Sequence, residues 1–163
     1  MSEKKQSQTP QNYKKTIATN KKALFNYFIE EKLEAGIVLK GSEVKSLRVS
    51  GCNIEDSHAD VMNSEVFLFN LNIPEYKKAN SFATHSPRAP RKLLVKKKER
   101  KKFIGKIKQK GYTLIAMSIY FNHKSLVKVE LALAKGKKLH DKRQDLKEKD
   151  WNREQAKILR IKR

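Results

Sequence analysis

Residues 26–39 (NYFIEEKLEAGIVL) alternate β-branched and aromatic residues with charges, and Gly36 interrupts the run, which predicts one strand bent at that glycine. Residues 42–49 (SEVKSLRV) bring Val44, Leu47 and Val49 close to helical spacing between Gly41 and Gly51, the pattern of a short helix. Two strand-like runs, 53–61 and 65–73, meet at Asn63 and Ser64, a two-residue hairpin turn. Residues 76–90 lose periodicity and are rich in Ser, Thr, Ala, Asn and Pro, so a long mobile loop is expected there. Leu93–Val95 adds a short strand or opens the next element, and residues 96–110 set Phe103, Ile104 and Ile107 against a field of lysines, a cationic amphipathic helix ended by Gly111. Residues 112–121 and 126–134 are strong β runs around a turn at 122–125, and Phe67, Phe69 and Tyr120 read as core.

Six strands and two short helices suit a small antiparallel β-barrel of the oligonucleotide-binding (OB-like) type, with an open α+β sandwich as the competing architecture. A chain of 163 residues and 18.9 kDa fits one domain. From Gly136 onward the apolar residues are sparse and irregular, yet Lys, Glu, Gln, Arg, Ala and Leu dominate, so helix propensity is high. The expected organisation is a flexible basic segment over 1–19, a barrel over 20–134, and a basic tail over 135–163 that is disordered alone and helical on a partner. Docking of the tail on its own body through Trp151 is the other reading.

Charge changes the picture from fold to partner. Lys and Arg number 38 against 17 Asp and Glu, a formal net charge of +21. Its distribution is uneven: residues 26–87 carry net −3, residues 88–110 net +11 with Glu99 as their one acid, and residues 135–163 net +7. Such a chain calls for a polyanion, and counterion release favours phosphate contacts. A lipid surface fits less well, because no helix has the large leucine or aromatic face of an interfacial segment. No run nears the ~20 apolar residues of a membrane span, and the polar amino end lacks a signal-peptide core, so a cytoplasmic protein is expected. Cys52 is the single cysteine, which excludes an internal disulfide and a zinc site of paired cysteines.

Catalytic chemistry is thin. His58, His85, His123 and His140 lack metal-ligand spacing, and no phosphate-binding glycine loop or nucleophile elbow occurs. Cys52 reads as a small buried hydrophobe. Glu30, Glu31 and Glu34 form the densest acidic group and could serve a metal-dependent nuclease, with Glu30 and Glu34 on one face of a regular strand and Glu31 on the other. No cofactor is expected. Aromatics interleaved with basic residues at Phe25, Tyr27, Phe28, Tyr112, Tyr120 and Trp151 suit stacking on unpaired bases.

Three stretches carry a resemblance that spans about residues 20–151: NKKALFNYFIEEKLEAGIVLKGSEVKSLR from Asn20, RKLLV from Arg91, and AKGKKLHDKR from Ala134. In these the chain resembles the SsrA-binding proteins, the SmpB family. The resemblance implies an OB-type barrel with a long basic tail, no enzymatic activity, and two partners: the tRNA-like domain of transfer-messenger RNA, and the ribosome at the decoding centre of the small subunit, with one monomer per RNA. It aligns Asn20, Glu34 and Leu94 with RNA-binding positions. Lys96 stands in place of a family asparagine and Phe25 where many relatives carry histidine. Lys21, Lys22, Arg91, Lys92 and Lys97, which flank these positions, and Lys135, Lys137 and Lys138 in the third stretch complete the candidate RNA-binding set. His140, Asp141, Lys142 and Arg143 fall on the tail motif tied to accommodation on the ribosome, with Trp151, Ile158 and Leu159 as apolar contacts of the tail helix. The alternatives are a constitutive ribosomal or general RNA-binding protein, and the nuclease.

Overall fold

Side chains alternate between the two faces of a strand, and here alternation sorts the strands into a ring. The computed structural model describes residues 14–76, 84–109 and 111–161. Its strands are β1 (Lys15–Thr19), β2 (Tyr27–Ile37), β3 (His58–Met62), β4 (Glu65–Phe69), β5 (Arg91–Leu94), β6 (Tyr112–Phe121) and β7 (Val127–Gly136). In β7, Val127, Val129, Leu131 and Leu133 enter the main core, while Ala132 and Ala134 on the opposite face pack with Ala23, Ile115 and Met117 in a second, smaller cluster. β6 keeps step by a bulge between Ala116 and Ser118, so Leu114 and Ala116 before it and Ile119 and Phe121 after it all face the main core.

The antiparallel order β6-β3-β4-β5-β2-β7 returns to β6 through the β6–β7 pairing, a closed barrel rather than an open sandwich. Closure removes sheet edges that would otherwise invite pairing with another chain. Beyond the six ring strands lies β1, which the sequence reading assigns to a flexible segment. It pairs with β6 from Thr19↔Ser118 to Lys15↔Phe121, where β3, bound only at Ile115 and Leu114, has left that edge. Residues 1–13 of that segment lie outside the described residues. β7 runs through Gly136, past the expected boundary at 134.

Among the described residues three helices join strands, α1 (Ala23–Asn26), α2 (Gly41–Val49) and α3 (Lys97–Ile107), and α4 (Leu139–Ile161) follows β7. The hairpin strands are shorter than expected, but their turn is as read: Asn63 and Ser64 have φ of 52° and 62°, the two left-handed residues of a type I′ turn. Phe67 and Phe69 correct the core expectation. Val66 and Leu68 take the inward positions of β4, which turns both phenylalanines, half-buried, to the outer wall. Gly36 is not a bend either. Its pairing with Lys128 continues the β2–β7 register, and the register shift falls between Ile29 and Glu31.

A buried ion pair ties these pieces together. Glu43 on α2 and Arg91 on β5 are 4% and 3% exposed and meet at 2.7 Å. The guanidinium also donates to the carbonyls of Leu71, Ala89, Ser86 and Pro87, and the carboxylate accepts the Lys40 N–H. Every donor of the fork is used, as burial of such a pair requires. Of the expected loop over 76–90, residues 77–83 lie outside the described residues. Its far end is fastened: the His85 ring, 2% exposed, bridges the Ser42 hydroxyl at 3.0 Å and the Ile73 carbonyl at 3.2 Å. Because a carbonyl only accepts, that pattern assigns the proton to Nε2.

Candidate nucleic-acid interface

The candidate residues separate into two groups. The first lies on the outer barrel wall, where β4, β5 and β2 run side by side. Leu33, Ala35, Arg91 and Leu93 point inward, so Glu34, Gly36, Lys92 and Leu94 point outward, and Gly36 pairs directly with Leu94. Leu94 is 55% exposed, a large apolar side chain at the surface of a polar wall. Beside it a cleft of about 410 Å³ is lined by Glu65, Lys92, Leu94, Val95, Lys96 and Arg100 among others. Lys96 precedes α3, and Lys97 is exposed in its first turn. Lys92 bonds Glu65 at 2.6 Å, a surface pair that a phosphate could displace at small cost.

Glu34 is the acid in this basic surface. Its carboxylate accepts from the Tyr120 hydroxyl and stands 3.6 Å from Lys128 and 4.0 Å from Lys14. The Tyr120 hydrogen bond first, and the two ammonium charges after it, hold the carboxyl below its ordinary range. Burial raises the Tyr120 phenol, so it stays a donor. Glu34 is therefore a fixed anionic acceptor, able to take a ribose hydroxyl or a base N–H, beside an apolar foot and several ammonium groups. Phe67, opposite Lys92 in the register, adds an aromatic to the same wall. Sequence reasoning missed it because all of VFLF is apolar and alternation had no phase to read.

The second group gathers where α1, the end of β7 and the start of α4 meet. Lys21, Lys135 and Lys138 are exposed there, and Lys22 pairs with Glu55 at 2.7 Å, which raises the lysine pKa through that hydrogen bond and charge. A polar cleft of about 400 Å³ opens beside them, lined by Asn20, Asn26, Tyr27, Glu55, Asp56 and His58 among others. Phe25 is half-buried, with the Lys149 ammonium 5.4 Å from its ring centre. In the tail, His140 contacts Asp141 at 2.8 Å and Asp141 accepts the Lys138 N–H, while Arg143, Trp151, Ile158 and Leu159 are exposed and Lys142 is half-buried.

Three candidates prove to be internal. Arg91 has no donor left for phosphate, for the reason given above. Asn20 is 5% exposed and its amide donates to the Glu55 and Ala116 carbonyls while accepting the Lys22 N–H, so it shapes the entry to α1. Lys137 is 11% exposed at its side chain and bonds Asp145 at 2.6 Å and the Leu24 carbonyl at 3.0 Å, so it fastens α4 to α1. Nothing in composition distinguishes these three from their exposed neighbours.

The acidic group also rearranges. The bulge at Glu30 turns both Glu30 and Glu31 toward α3, where they pair with Lys106 at 3.3 Å and Lys102 at 2.6 Å, leaving Glu34 apart on the outer wall. Each carboxylate is thus engaged by ammonium groups, a poor arrangement for a divalent cation. Among the described residues no three His, Cys, Asp or Glu side chains gather as a metal set. Cys52 packs against the core and burial pushes its thiol up to about 12, so it is no nucleophile at neutral pH. No described helix is long and apolar enough to cross a membrane.

Comparison with known proteins agrees in extent. The family model described as "SmpB protein" matches residues 17–161. An SsrA-binding protein of Rickettsia felis is 66% identical over 150 residues, covering 92% of this chain and 98% of that protein. One of Rickettsia bellii is 65% identical over 150 residues, covering 92% and 99%. A chain in a solved structure described as "tmRNA-SmpB: a journey to the center of the bacterial ribosome" superposes with a TM-score of 0.63 at 44% identity, covering 76% of this chain and 86% of its own.

Proposed function

The chain belongs to the SmpB family, and on that premise we propose that it is an RNA-binding adaptor: it holds the tRNA-like domain of transfer-messenger RNA and delivers it to stalled ribosomes for trans-translation. The observation that carries this reading is the outer wall, where an exposed Leu94 and the amines of Lys92 and Lys96 line one cleft and the acceptor Glu34 shares the outward face of the neighbouring strand. Folded RNA offers that combination of phosphate, ribose hydroxyl and apolar base face. The reading makes the protein a cytoplasmic, non-enzymatic monomer on its RNA, and a tRNA-like transcript incubated with it and magnesium stays intact. Binding to such a transcript, measured against random RNA of equal length over a salt series, is the direct test. Affinity no better than for random RNA would end the reading. Lys97→Glu weakens binding and lowers the log–log salt slope by about 1.

The tail is the ribosomal half of the proposal. Leu139, Leu146, Trp151, Ile158 and Leu159 are exposed on α4, a helix with little burial of its own to sustain it. Such a helix gains stability mainly on a partner surface, which supports a tail that orders in the empty decoding centre and message channel, with His140, Asp141, Lys142 and Arg143 leading. Truncation after Lys138 spares β7. It leaves RNA affinity in place and abolishes ribosome rescue; equal loss of both would refute the division.

A further inference from the structure

Gly36 sits in the middle of β2 with β7 on one side and β5 on the other, paired to Lys128 and Leu94. Its φ lies outside the left-handed region, so backbone freedom does not explain it. Space does. A Cβ built on Gly36 would stand 3.2 Å from the Leu94 Cβ, 3.6 Å from its Cδ1 and 3.8 Å from its Cγ. Facing Cβ atoms in paired strands ordinarily lie about 4.5–5.5 Å apart. A side chain at position 36 would therefore force Leu94 to give by a few tenths of an ångström, and Leu94 lies folded over the bare strand, 55% of the residue open to solvent.

We propose that Gly36 is the positioning residue of the RNA-binding wall: it is the seat that holds Leu94 low and level beside Glu34. The inference rests on the reading of Leu94 as an RNA contact. Glu34 shares the outward face of β2 with Gly36 two positions away, and Lys92 shares the outward face of β5 with Leu94. Any displacement of Leu94 changes its height relative to both polar neighbours. The β2–β5 pairing spans only Gly36↔Leu94 and Ile37↔Leu93, so a longer ladder does not absorb the change.

The test is a set of substitutions in the full chain, read by affinity for a tRNA-like transcript and by urea midpoint. Gly36→Ala weakens binding about tenfold, the scale of one misplaced apolar contact. Leu94→Ala removes the contact but keeps the clashing Cβ, whereas Leu94→Gly removes both. Adding Gly36→Ala to Leu94→Ala thus lowers the urea midpoint without further loss of affinity. Adding it to Leu94→Gly lowers neither. If Gly36→Ala alone fails to fold, Gly36→Ala with Leu94→Gly folds again.

Full affinity in Leu94→Ala would sink the RNA reading of Leu94 and the seat with it. Weakened Leu94→Ala beside an unaffected Gly36→Ala would overturn the seat alone. So would an affinity loss from Gly36→Ala that is undiminished in the Leu94→Ala background, or a midpoint loss that persists with Leu94→Gly.

Discussion

Arg91→Ala separates a structural cation from an RNA-binding one. Removal of the guanidinium strands the Glu43 carboxylate at 4% exposure with the Lys40 N–H as its remaining hydrogen-bond partner, and it leaves the Leu71, Ala89, Ser86 and Pro87 carbonyls without their donors. Breaking one side of a buried ion pair costs about 3–5 kcal/mol, against a total stability of roughly 5–15 kcal/mol for a single domain. For a chain of this size that lowers Tm by roughly 6–20 °C. Urea denaturation and calorimetry read the loss. Pairing Arg91→Met with Glu43→Leu recovers part of it, since no charge is then left buried, though the four carbonyls stay unserved. A single-variant cost under about 1 kcal/mol, the worth of a surface pair, would refute the argument. Loss of RNA affinity at an unchanged urea midpoint would restore Arg91 to the interface.

Two further outcomes follow from the same geometry. Tyr120→Phe removes the hydrogen bond that does most to depress the Glu34 carboxyl, and the stabilisation it supplies is present above about pH 4.5 and fades as pH falls through the lower folded value. The variant is thus less stable at pH 7 by under about 1 kcal/mol, because Glu34 is half exposed, and the gap closes in acid; a gap that widens on acidification would contradict the assignment. Lys137→Asp releases α4 from α1 and reduces ribosome rescue while sparing RNA affinity, and Asp145→Lys added to it restores part of the rescue by reversing the 2.6 Å pair, the Leu24 carbonyl staying without its donor; a double variant no better than the single would show that the pair does not hold the tail.

Alternation and turn chemistry made β6, β7, α2, α3 and the Asn63–Ser64 turn legible in the sequence, because each depends on residues near one another in the chain. What could not be read depends on the ring. β1 is five residues of ordinary polarity whose only recommendation is the stretch of β6 edge that β3 leaves bare. The phase of β4 was open because its apolar run is unbroken, and closure of the barrel, rather than the run itself, turned Phe67 and Phe69 outward. The same holds for charge: Arg91, Lys137 and Lys97 look alike in a composition count, and only burial and partners separate a rivet, a fastening and a solvent-facing cation. The candidate residues on the outer wall were found by likeness to a family; Gly36 beneath Leu94 was named only as an interruption.

The Lys137–Asp145 pair has a mechanical consequence. From that joint at Asp145, α4 runs on to Ile161, a rod of about 24 Å, so a swing of roughly ten degrees there carries the far tip about 4 Å. A small rotation at this joint is thereby magnified into a displacement at the carboxyl end larger than the rise of two helical residues.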